Sequence, residues 1–262
     1  MKIIRYISRG SIEYGILEDN IIYKIRGDIF SKYQITEEKK LLDEVKIISP
    51  VQPPNIIAVG LNYRKHARES GHVLPDRPVL FIKATTSLTD PGEAIVLPAM
   101  ASEEVDFEAE LAIVIGKTAK NVLENEVSDY ILGYTCANDI SARDCQRRID
   151  KQWARGKSFD TFCPLGPCIE TELEPDDCNI KSVLNDKVMQ DSNTGDMIFN
   201  TRELVSYISK NMTLLPGTVI LTGTPEGVGF ARKPPVFLRD GDLIVIEIDG
   251  IGVLKNRVCR EN

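Results

Sequence analysis

The stretch EEVDFEAELAIVIG, residues 103–116, decides the fold class because it joins a long apolar run to acidic residues at its start. Its apolar part, residues 111–115, contains no polar residue, which predicts a buried β-strand. Side chains two residues apart on a strand point to the same face, so Asp106, Glu108 and Glu110 are predicted to share one face. Buried carboxylates of like charge repel one another and are costly unless a partner compensates them.

The rest of the chain is also dominated by strand patterns. Short β-branched and aromatic runs predict a small N-terminal β-rich domain over residues 1–50. The proline-rich segment at residues 49–55 predicts the boundary, with a second domain over residues 51–262. The clearest helix pattern, residues 200–212, begins with a capping-box sequence. Because strands often follow strands without an intervening helix, the pattern predicts an α+β, β-rich fold.

Composition excludes several classes of protein. The chain has 262 residues and a net charge of −7, which argues against a nucleic-acid partner. No apolar run approaches the roughly 20 residues that cross a bilayer, and the N-terminus lacks a signal-peptide pattern, so no membrane association is expected. Six cysteines at irregular spacing and two histidines argue against a disulfide framework and a zinc site. These features predict a reduced, cytoplasmic protein.

The acidic residues suggest a metal site. A hard divalent cation takes oxygen ligands, so it would stabilise two carboxylates, Glu108 and Glu110, on one strand face. The candidate third ligand is Asp139, which follows another apolar strand in TCANDISARD, residues 135–144. Spacing alone leaves an alternative open, in which the glutamates are solvated on an edge strand or paired with basic residues.

Two basic residues are candidates for chemistry beside these acids. His66 and Glu69 are three residues apart in NYRKHARE, so a helix would place them on one side, where the carboxylate could orient the imidazole. Lys157 lies between glycine and serine and could stabilise an oxyanion or enolate. The alternatives are an exposed helix without a role and a surface lysine. His72 is predicted to be a surface loop residue.

Three further residues are candidates for substrate contact. Arg143 and Gln146 follow Asp139 by four and seven residues, so a helical turn would bring them to the same side, and an arginine suits a substrate carboxylate. Thr224 lies in LTGTPEGVG, residues 221–229, where glycines permit close approach to a ligand. A plain turn is the alternative for this segment, which lacks the ending of a phosphate loop.

Several segments, in order, resemble the fumarylacetoacetate hydrolase (FAH) superfamily in its bacterial 2-hydroxyhepta-2,4-diene-1,7-dioate isomerase and 5-carboxymethyl-2-oxo-hex-3-ene-1,7-dioate decarboxylase-like branch. They extend over residues 55–258 and are VGLNYRKHARE, VDFEAELAIVIG, GYTCANDISARD, WARGKSFDTFCPLGP, MIF, LLPGTVILTGTPEGVG and IEIDGIGVLKNRV. The resemblance implies an FAH-type mixed β-sheet roll or barrel with a small N-terminal β domain. One departure is Ala84, where many relatives have proline after Lys83.

The resemblance also implies roles for these residues. It implies that Glu108, Glu110 and Asp139 bind Mg²⁺ or Mn²⁺, with Ca²⁺ as an alternative in crystals. It implies the following catalytic and substrate-binding residues: His66, Glu69 and Lys157, and Arg143, Gln146 and Thr224. A homodimer is expected on the same ground alone.

The expected substrate is a small 2-oxo or β-dicarbonyl acid. In the first hypothesis the metal stabilises an enolate as hydrolysis or decarboxylation breaks a carbon–carbon bond. The same residues would serve an isomerase or tautomerase of 2-hydroxy-diene-dioate or oxaloacetate-type substrates. A metal- or metabolite-binding protein without turnover is an alternative of another class.

Overall fold

Strands account for most of the secondary structure in the computed structural model, which describes residues 1–101, 103–150 and 152–261. These residues form nineteen strands. In chain order they are β1 (Lys2–Ser8), β2 (Ser11–Glu18), β3 (Ile21–Gly27), β4 (Tyr33–Leu41), β5 (Lys46–Ile48), β6 (Ile56–Gly60), β7 (Val79–Lys83), β8 (Leu88–Thr89), β9 (Ile95–Leu97), β10 (Val105–Asp106), β11 (Ala109–Ile115), β12 (Ile131–Asn138), β13 (Ser141–Ala142), β14 (Cys163–Glu170), β15 (Asn179–Leu184), β16 (Lys187–Asn193), β17 (Val219–Leu221), β18 (Leu243–Ile248) and β19 (Gly252–Arg260).

The helices are few and short. The α-helices of the described ranges are α1 (Arg64–Glu69), α2 (Trp153–Lys157) and α3 (Thr201–Asn211). A π-helix spans Cys145–Ile149. Turns of 3₁₀-helix lie at Leu42–Glu44, Thr85–Ser87, Ala99–Ala101, Glu124–Asp129, Thr194–Asp196 and Gly229–Ala231. None of the helices in the described part of the chain has the length and hydropathy that crossing a bilayer requires.

The largest sheet has twelve strands and a mixed arrangement. Its path is β4-β3-β2-β1-β14-β12-β11-β17-β6-β7, with β5 beside β1 and β8 beside β14. Neighbours are antiparallel along this path except β17 and β6, which are parallel. Because β1 pairs with β14, the first strands extend the same sheet as the rest of the chain. The division into two domains at residue 50 stays a prediction.

A second sheet covers one face of the first. Its order is β16-β15-β18-β19-β9, and its strands β15, β18 and β19 pack on β11, β12 and β14. Ile113, Ile180 and Ile246 belong to the core between the sheets, and burial of each such side chain contributes about 1.5–3 kcal/mol. The predicted α+β, β-rich fold with a mixed sheet is confirmed, and every residue of β11 is buried in it.

The predicted single strand across residues 103–116 is two strands, because the chain leaves the ladder at Phe107 and Glu108. Side chains replace the ladder there. The Asp106 carboxylate accepts the Phe107 N–H at 2.9 Å, and the Asn138 side chain accepts the Glu108 N–H at 3.0 Å. The strict alternation that predicted one shared face therefore breaks, although Asp106 and Glu108 still share Arg143 as a hydrogen-bond donor.

The predicted helix near residue 200 is confirmed as α3. Asn200 accepts the Glu203 N–H at 3.0 Å, and the Glu203 carboxylate accepts the Asn200 N–H at 2.7 Å. This capping box satisfies two donors at the helix start. The buried face carries Leu204, Val205 and Ile208, as the spacing predicts.

Candidate active site

Three buried carboxylates meet at one end of β11 and β12, two neighbouring strands of the large sheet. Glu110 lies on β11, Glu108 precedes it, and Asp139 follows β12, whose Asn138 is paired with Ala109. One carboxylate oxygen of each acid lies within 4.8 Å of the other two. We call Glu108, Glu110 and Asp139 the acidic triad. The pairing of β11 with β12 brings together two segments that lie thirty residues apart in the sequence.

Two buried lysines donate to the acidic triad. Lys157, at the end of α2, donates from Nζ to Glu108 Oε2 and to Asp139 Oδ2, each at 2.6 Å. Lys83, at the end of β7, donates to Asp139 Oδ1 at 2.6 Å and also to the backbone carbonyl of Lys157. Lys83 therefore positions both an acid and the other lysine. Next to it, the Ala84 N–H, a donor that proline would lack, donates to Ser158 Oγ at 3.0 Å.

Arg143 joins the acidic triad to a neighbouring carboxylate, Asp106. Its guanidinium donates to Glu108 Oε1 at 2.7 Å, to Asp106 Oδ2 at 2.9 Å and to Gln146 Oε1 at 3.0 Å. Asp106 also accepts the N–H groups of Gly229 and Phe230 at 2.7 and 3.0 Å. Asp106 thus holds the glycine-rich segment against the site, and sequence reasoning assigned it no such role.

The charges of this buried set do not balance. With Asp106, the acidic triad places four carboxylates beside the three cations of Lys83, Lys157 and Arg143. Burial together with the nearby charges of Asp139 and Glu108 raises the pKa of Glu110 well above its ordinary value. Among the described residues, the one hydrogen bond given to the Glu110 carboxylate comes from Gly223 N–H, at 2.7 Å.

The pKa values of Glu108 and of Lys157, its hydrogen-bond donor, move in opposite directions. Burial alone would raise the pKa of Glu108, but Lys157 and Arg143 outweigh burial and lower it. Burial alone would lower the pKa of Lys157, but Asp139 and Glu108 outweigh burial and raise it. Both side chains are therefore stabilised in their charged forms, and Glu110 is the acid of the triad whose negative charge is least compensated.

A histidine paired with a carboxylate faces the triad. On α1, His66 Nδ1 lies 3.0 Å from Glu69 Oε1, as the spacing of three residues predicts. Glu69 also accepts the Gly227 N–H at 3.0 Å, so it is anchored to the glycine-rich segment. Because one ring nitrogen of His66 is engaged by Glu69, the other, Nε2, is left for a ligand.

These residues line one cavity of about 640 Å³. The predicted residues on its wall are His66, Glu108, Glu110, Asp139, Arg143, Gln146, Lys157 and Thr224. Glu69 lies behind His66. Thr224 donates to Ala109 O at 2.9 Å and accepts from Gln190 Nε2 at 2.7 Å. His72 is exposed, as predicted for a loop, but it also lines the cavity.

A sequence model described as fumarylacetoacetate (FAA) hydrolase C-terminal matches residues 55–259, well over half of the chain. The chain belongs to the FAH family. A second model, described as Rv2993c-like, N-terminal, matches residues 1–50. The predicted family and the prediction of an FAH-family enzyme are confirmed.

Relatives of this FAH-family chain align with most of its length. Oxaloacetate tautomerase Fahd2a, mitochondrial, from Rattus norvegicus is 45% identical over 219 residues, which cover 82% of this chain and 70% of the relative. The crystal structure of 5-carboxymethyl-2-hydroxymuconate delta-isomerase from Mycobacterium smegmatis has a TM-score of 0.91 and 41% identity, with both chains fully covered. That of 2-hydroxyhepta-2,4-diene-1,7-dioate isomerase from Mycobacterium marinum has a TM-score of 0.90 and 39% identity, and it covers 100% of this chain and 99% of the other.

The residues of this FAH-family protein fit a divalent cation. The acidic triad offers three carboxylate oxygens close together, and these are the ligands that hard cations prefer. The unbalanced carboxylate is Glu110, the acid without a lysine or arginine donor in the described ranges. A cation at the triad would offset that charge, and the remaining positive charge would suit an anionic substrate.

Some residues of the FAH-family site were not predicted from the sequence. Lys83 ends an apolar strand, LFIK, and a charged residue at that point was the available signal. Phe230 packs its ring against the edge of His66, with centroids 6.3 Å apart, and nothing in the local pattern indicates this. Gln190 donates to Thr224 and accepts the Ala109 N–H at 3.0 Å, and it comes from the second sheet.

Proposed function

We propose that this protein is a divalent-metal-dependent tautomerase or isomerase of a small 2-oxo acid. The observation that carries the proposal is the position of the His66–Glu69 pair on the wall of the cavity that the acidic triad also lines. A base opposite a cation site is what proton transfer next to a carbonyl group requires. The names of the relatives from rat and from the two mycobacteria support this reaction class.

The first step depends on His66. Its Nδ1–H donates to Glu69, which holds the ring and leaves Nε2 as an acceptor for a substrate proton. Glu69 stabilises the imidazolium that results, and Gly227 N–H keeps Glu69 in place. The proton then returns to another atom of the substrate, and the net result is tautomerisation or isomerisation.

The developing negative charge on the substrate oxygen lies beside cations. The Lys157 ammonium is fixed by Glu108 and Asp139, so it stabilises that charge without reorganisation. A divalent cation held by Glu108, Glu110 and Asp139 would supply Lewis-acid stabilisation of the same oxygen. We propose Mg²⁺ or Mn²⁺ as the ion because the three ligands are carboxylates. Arg143, Gln146 and Thr224 are proposed substrate contacts.

A second candidate is cleavage of a carbon–carbon bond, by hydrolysis or decarboxylation, in a 2-oxo or β-dicarbonyl acid. The cavity of about 640 Å³, which His66 lines, exceeds the volume of a small acid and leaves room for a water molecule. In hydrolysis, His66 takes a proton from that water. In decarboxylation, the bond to the carboxylate breaks, CO₂ leaves and an enolate remains, so no attacking water is needed.

The two candidates are separated by product analysis with oxaloacetate and acetylpyruvate. Proton NMR in the presence of Mg²⁺, Mn²⁺ or EDTA distinguishes enol–keto exchange from the release of pyruvate or acetate. We expect metal-dependent exchange, and we expect His66→Gln to slow it about a hundredfold. The control is Glu104→Gln, which alters a carboxylate paired with Arg148 outside the cavity.

The result that would overturn the proposal is equal turnover in EDTA and in Mg²⁺. Product release without exchange would favour the second candidate. Metal-dependent binding of these acids without any turnover would instead indicate a metal- or metabolite-binding protein. A homodimer, a cytoplasmic location and the absence of nucleic-acid and membrane partners stay predictions, and sedimentation equilibrium tests the first of them.

A further inference from the structure

Among the described residues, Arg147 is the arginine on the cavity wall that has no acid partner. Three lysines and arginines line the cavity: Arg143, Arg147 and Lys157. Two of these are paired with the carboxylates of the site. Within residues 1–101, 103–150 and 152–261, the Arg147 guanidinium has neither a hydrogen bond nor an ion pair. Its neighbour Arg148, in contrast, donates to both carboxylate oxygens of Glu104 at 2.9 Å.

An aromatic ring holds Arg147 in place. Its guanidinium carbon lies 3.6 Å from the centroid of Phe230, and that of Arg143 lies 4.5 Å from the same centroid. The backbone of Phe230 is itself anchored, because its N–H donates to Asp106. Stacking on an aromatic face leaves the N–H groups at the edge of a guanidinium free to bind an anion.

The backbone also supports a ligand-binding role. Arg147 lies within the π-helix Cys145–Ile149, and π-helical turns often occur at functional sites. Gln146 and Arg147, both in this π-helix, line the same cavity as Arg143. Burial and the neighbouring charge of Arg143 lower the pKa of Arg147, so an anion bound there would relieve repulsion between two cations.

The position of Arg147 relative to the acidic triad defines what it would bind. Arg143 contacts Glu108 directly, whereas Arg147 contacts the ring of Phe230 and none of the triad. The cavity wall also contains the apolar side chains of Val59, Phe81 and Trp153. A ligand whose 2-oxo acid end lies at the triad therefore has an apolar surface for its chain and a separate cation for a second anionic group.

We propose that Arg147, stacked on Phe230, binds a second carboxylate of the substrate, remote from its 2-oxo acid end. Arg147 is then the specificity-determining residue that selects 2-oxo dicarboxylic acids over 2-oxo monocarboxylic acids of equal length. This inference rests on the proposed function, because it assumes that the 2-oxo acid end lies at the triad. It assigns Arg147 no part in proton transfer.

The test compares two ligands that differ only in the distal group. Isothermal titration calorimetry in Mg²⁺ measures Kd for 2-oxoadipate and for 2-oxohexanoate, which has the same chain length and no second carboxylate. We expect wild-type protein to bind the diacid about tenfold more tightly, as one charge-assisted contact would allow. Arg147→Gln should bring the two Kd values to within about twofold by weakening diacid binding alone.

Two variants serve as comparisons. Arg148→Gln, outside the cavity, should keep the wild-type ratio of the two Kd values. Arg147→Lys should keep part of the ratio, because it retains the charge and loses the planar stacking. Since Arg147 makes no hydrogen bond in the described part of the chain and its stacking on Phe230 is one cation–π contact, Arg147→Gln should lower the melting temperature by no more than about 4 °C.

A wild-type ratio in Arg147→Gln would overturn the inference and leave the proposed function intact. The inference is also wrong if wild-type protein binds the two ligands equally. If neither acid binds wild-type protein in Mg²⁺ or Mn²⁺, the proposed function fails, and the inference fails with it.

Discussion

Carboxylates and lysines meet in two regions of this molecule that differ in how far the charge of each carboxylate is compensated. On the strands β1 to β4, Glu13 accepts from Lys24 at 2.9 Å, from Lys40 at 2.8 Å and from Tyr6 at 3.0 Å. We call these four residues the Glu13 cluster. Around the acidic triad, by contrast, four carboxylates, with Asp106 included, lie beside the three cations of Lys83, Lys157 and Arg143, and Glu110 accepts from a backbone N–H.

The two regions differ in burial as well as in charge. The Glu13 side chain is 16% exposed and those of Lys24 and Lys40 are 27% and 24% exposed, so water screens any imbalance. The triad is buried, where an unbalanced charge is far more costly. The uncompensated carboxylate of the triad therefore lowers the free energy of unfolding.

The pKa values of the carboxylates differ between the two regions in the same way. Burial alone would raise the pKa of Glu13, but hydrogen bonds from the two lysines and the tyrosine outweigh burial and lower it from 4.5 to about 2. The carboxylate of Glu13 thus stabilises the fold. At Glu110 the pKa moves in the opposite direction, because burial and the charges of Asp139 and Glu108 act on a carboxylate that has no lysine or arginine donor among the described residues.

The largest expected effect is on activity at Glu110. Glu110→Gln removes a proposed metal ligand, and we expect turnover to fall at least about a thousandfold, equal to about 4 kcal/mol. Because the substitution also removes an unbalanced buried charge, metal-free protein should be no less stable than wild type. Turnover in Mg²⁺ measures the effect on activity, and urea unfolding in EDTA measures the effect on stability. Glu104→Gln is the control for both. A stability loss above about 2 kcal/mol would contradict the comparison.

The second effect is on stability at Glu108. Glu108 balances Lys157 and Arg143, so Glu108→Gln leaves two buried cations with fewer partners. We expect the free energy of unfolding in EDTA to fall by about 2–3 kcal/mol, with the remaining acids limiting the loss. Urea unfolding of the Glu108 and Glu110 variants side by side tests this. Equal free energies of unfolding of the two variants would contradict the comparison, because Glu108 and Glu110 would then not differ in how far cations compensate their charges.

The smallest effect is on stability at Glu13, and it depends on pH. The folded-state pKa lies below the ordinary value, so its stabilisation is fully present above about pH 4.5 and is lost as pH falls towards 2. We expect Glu13→Gln to cost about 1 kcal/mol at pH 7, after allowing for partial exposure, and less at pH 4. Turnover should not change.

Unfolding of Glu13→Gln at several pH values checks this prediction, with Glu18→Gln, an exposed acid on the same strand, as the control. A difference between Glu13→Gln and wild type that stays constant from pH 7 to pH 3 would show that the cluster does not lower the pKa of Glu13. Reduced turnover in this variant would show that the two regions are coupled.

Much of the fold and the candidate site was predictable from local patterns. The spacing of His66 and Glu69 predicted their contact because a helix places residues three apart on one side. The capping box at Asn200 predicted the start of α3 for an equally local reason. Asp139 was a candidate partner of Glu108 and Glu110 because it follows an apolar strand, and the family resemblance implied the same three ligands; the distance in sequence is too long for a local rule to predict their contact.

The sequence by itself determined the strand-rich fold class, the chemistry of the candidate ligands and the pairs that one helical turn brings together, because these depend on residues close in the chain. Only the tertiary structure decided which charges are balanced. Lys83 reaches Asp139 across 56 residues, and Asp106 reaches Phe230 across 124. Such contacts depend on how the sheets pack. Charge balance, which distinguishes Glu110 from Glu108 and Glu13, is therefore a property of the packed chain.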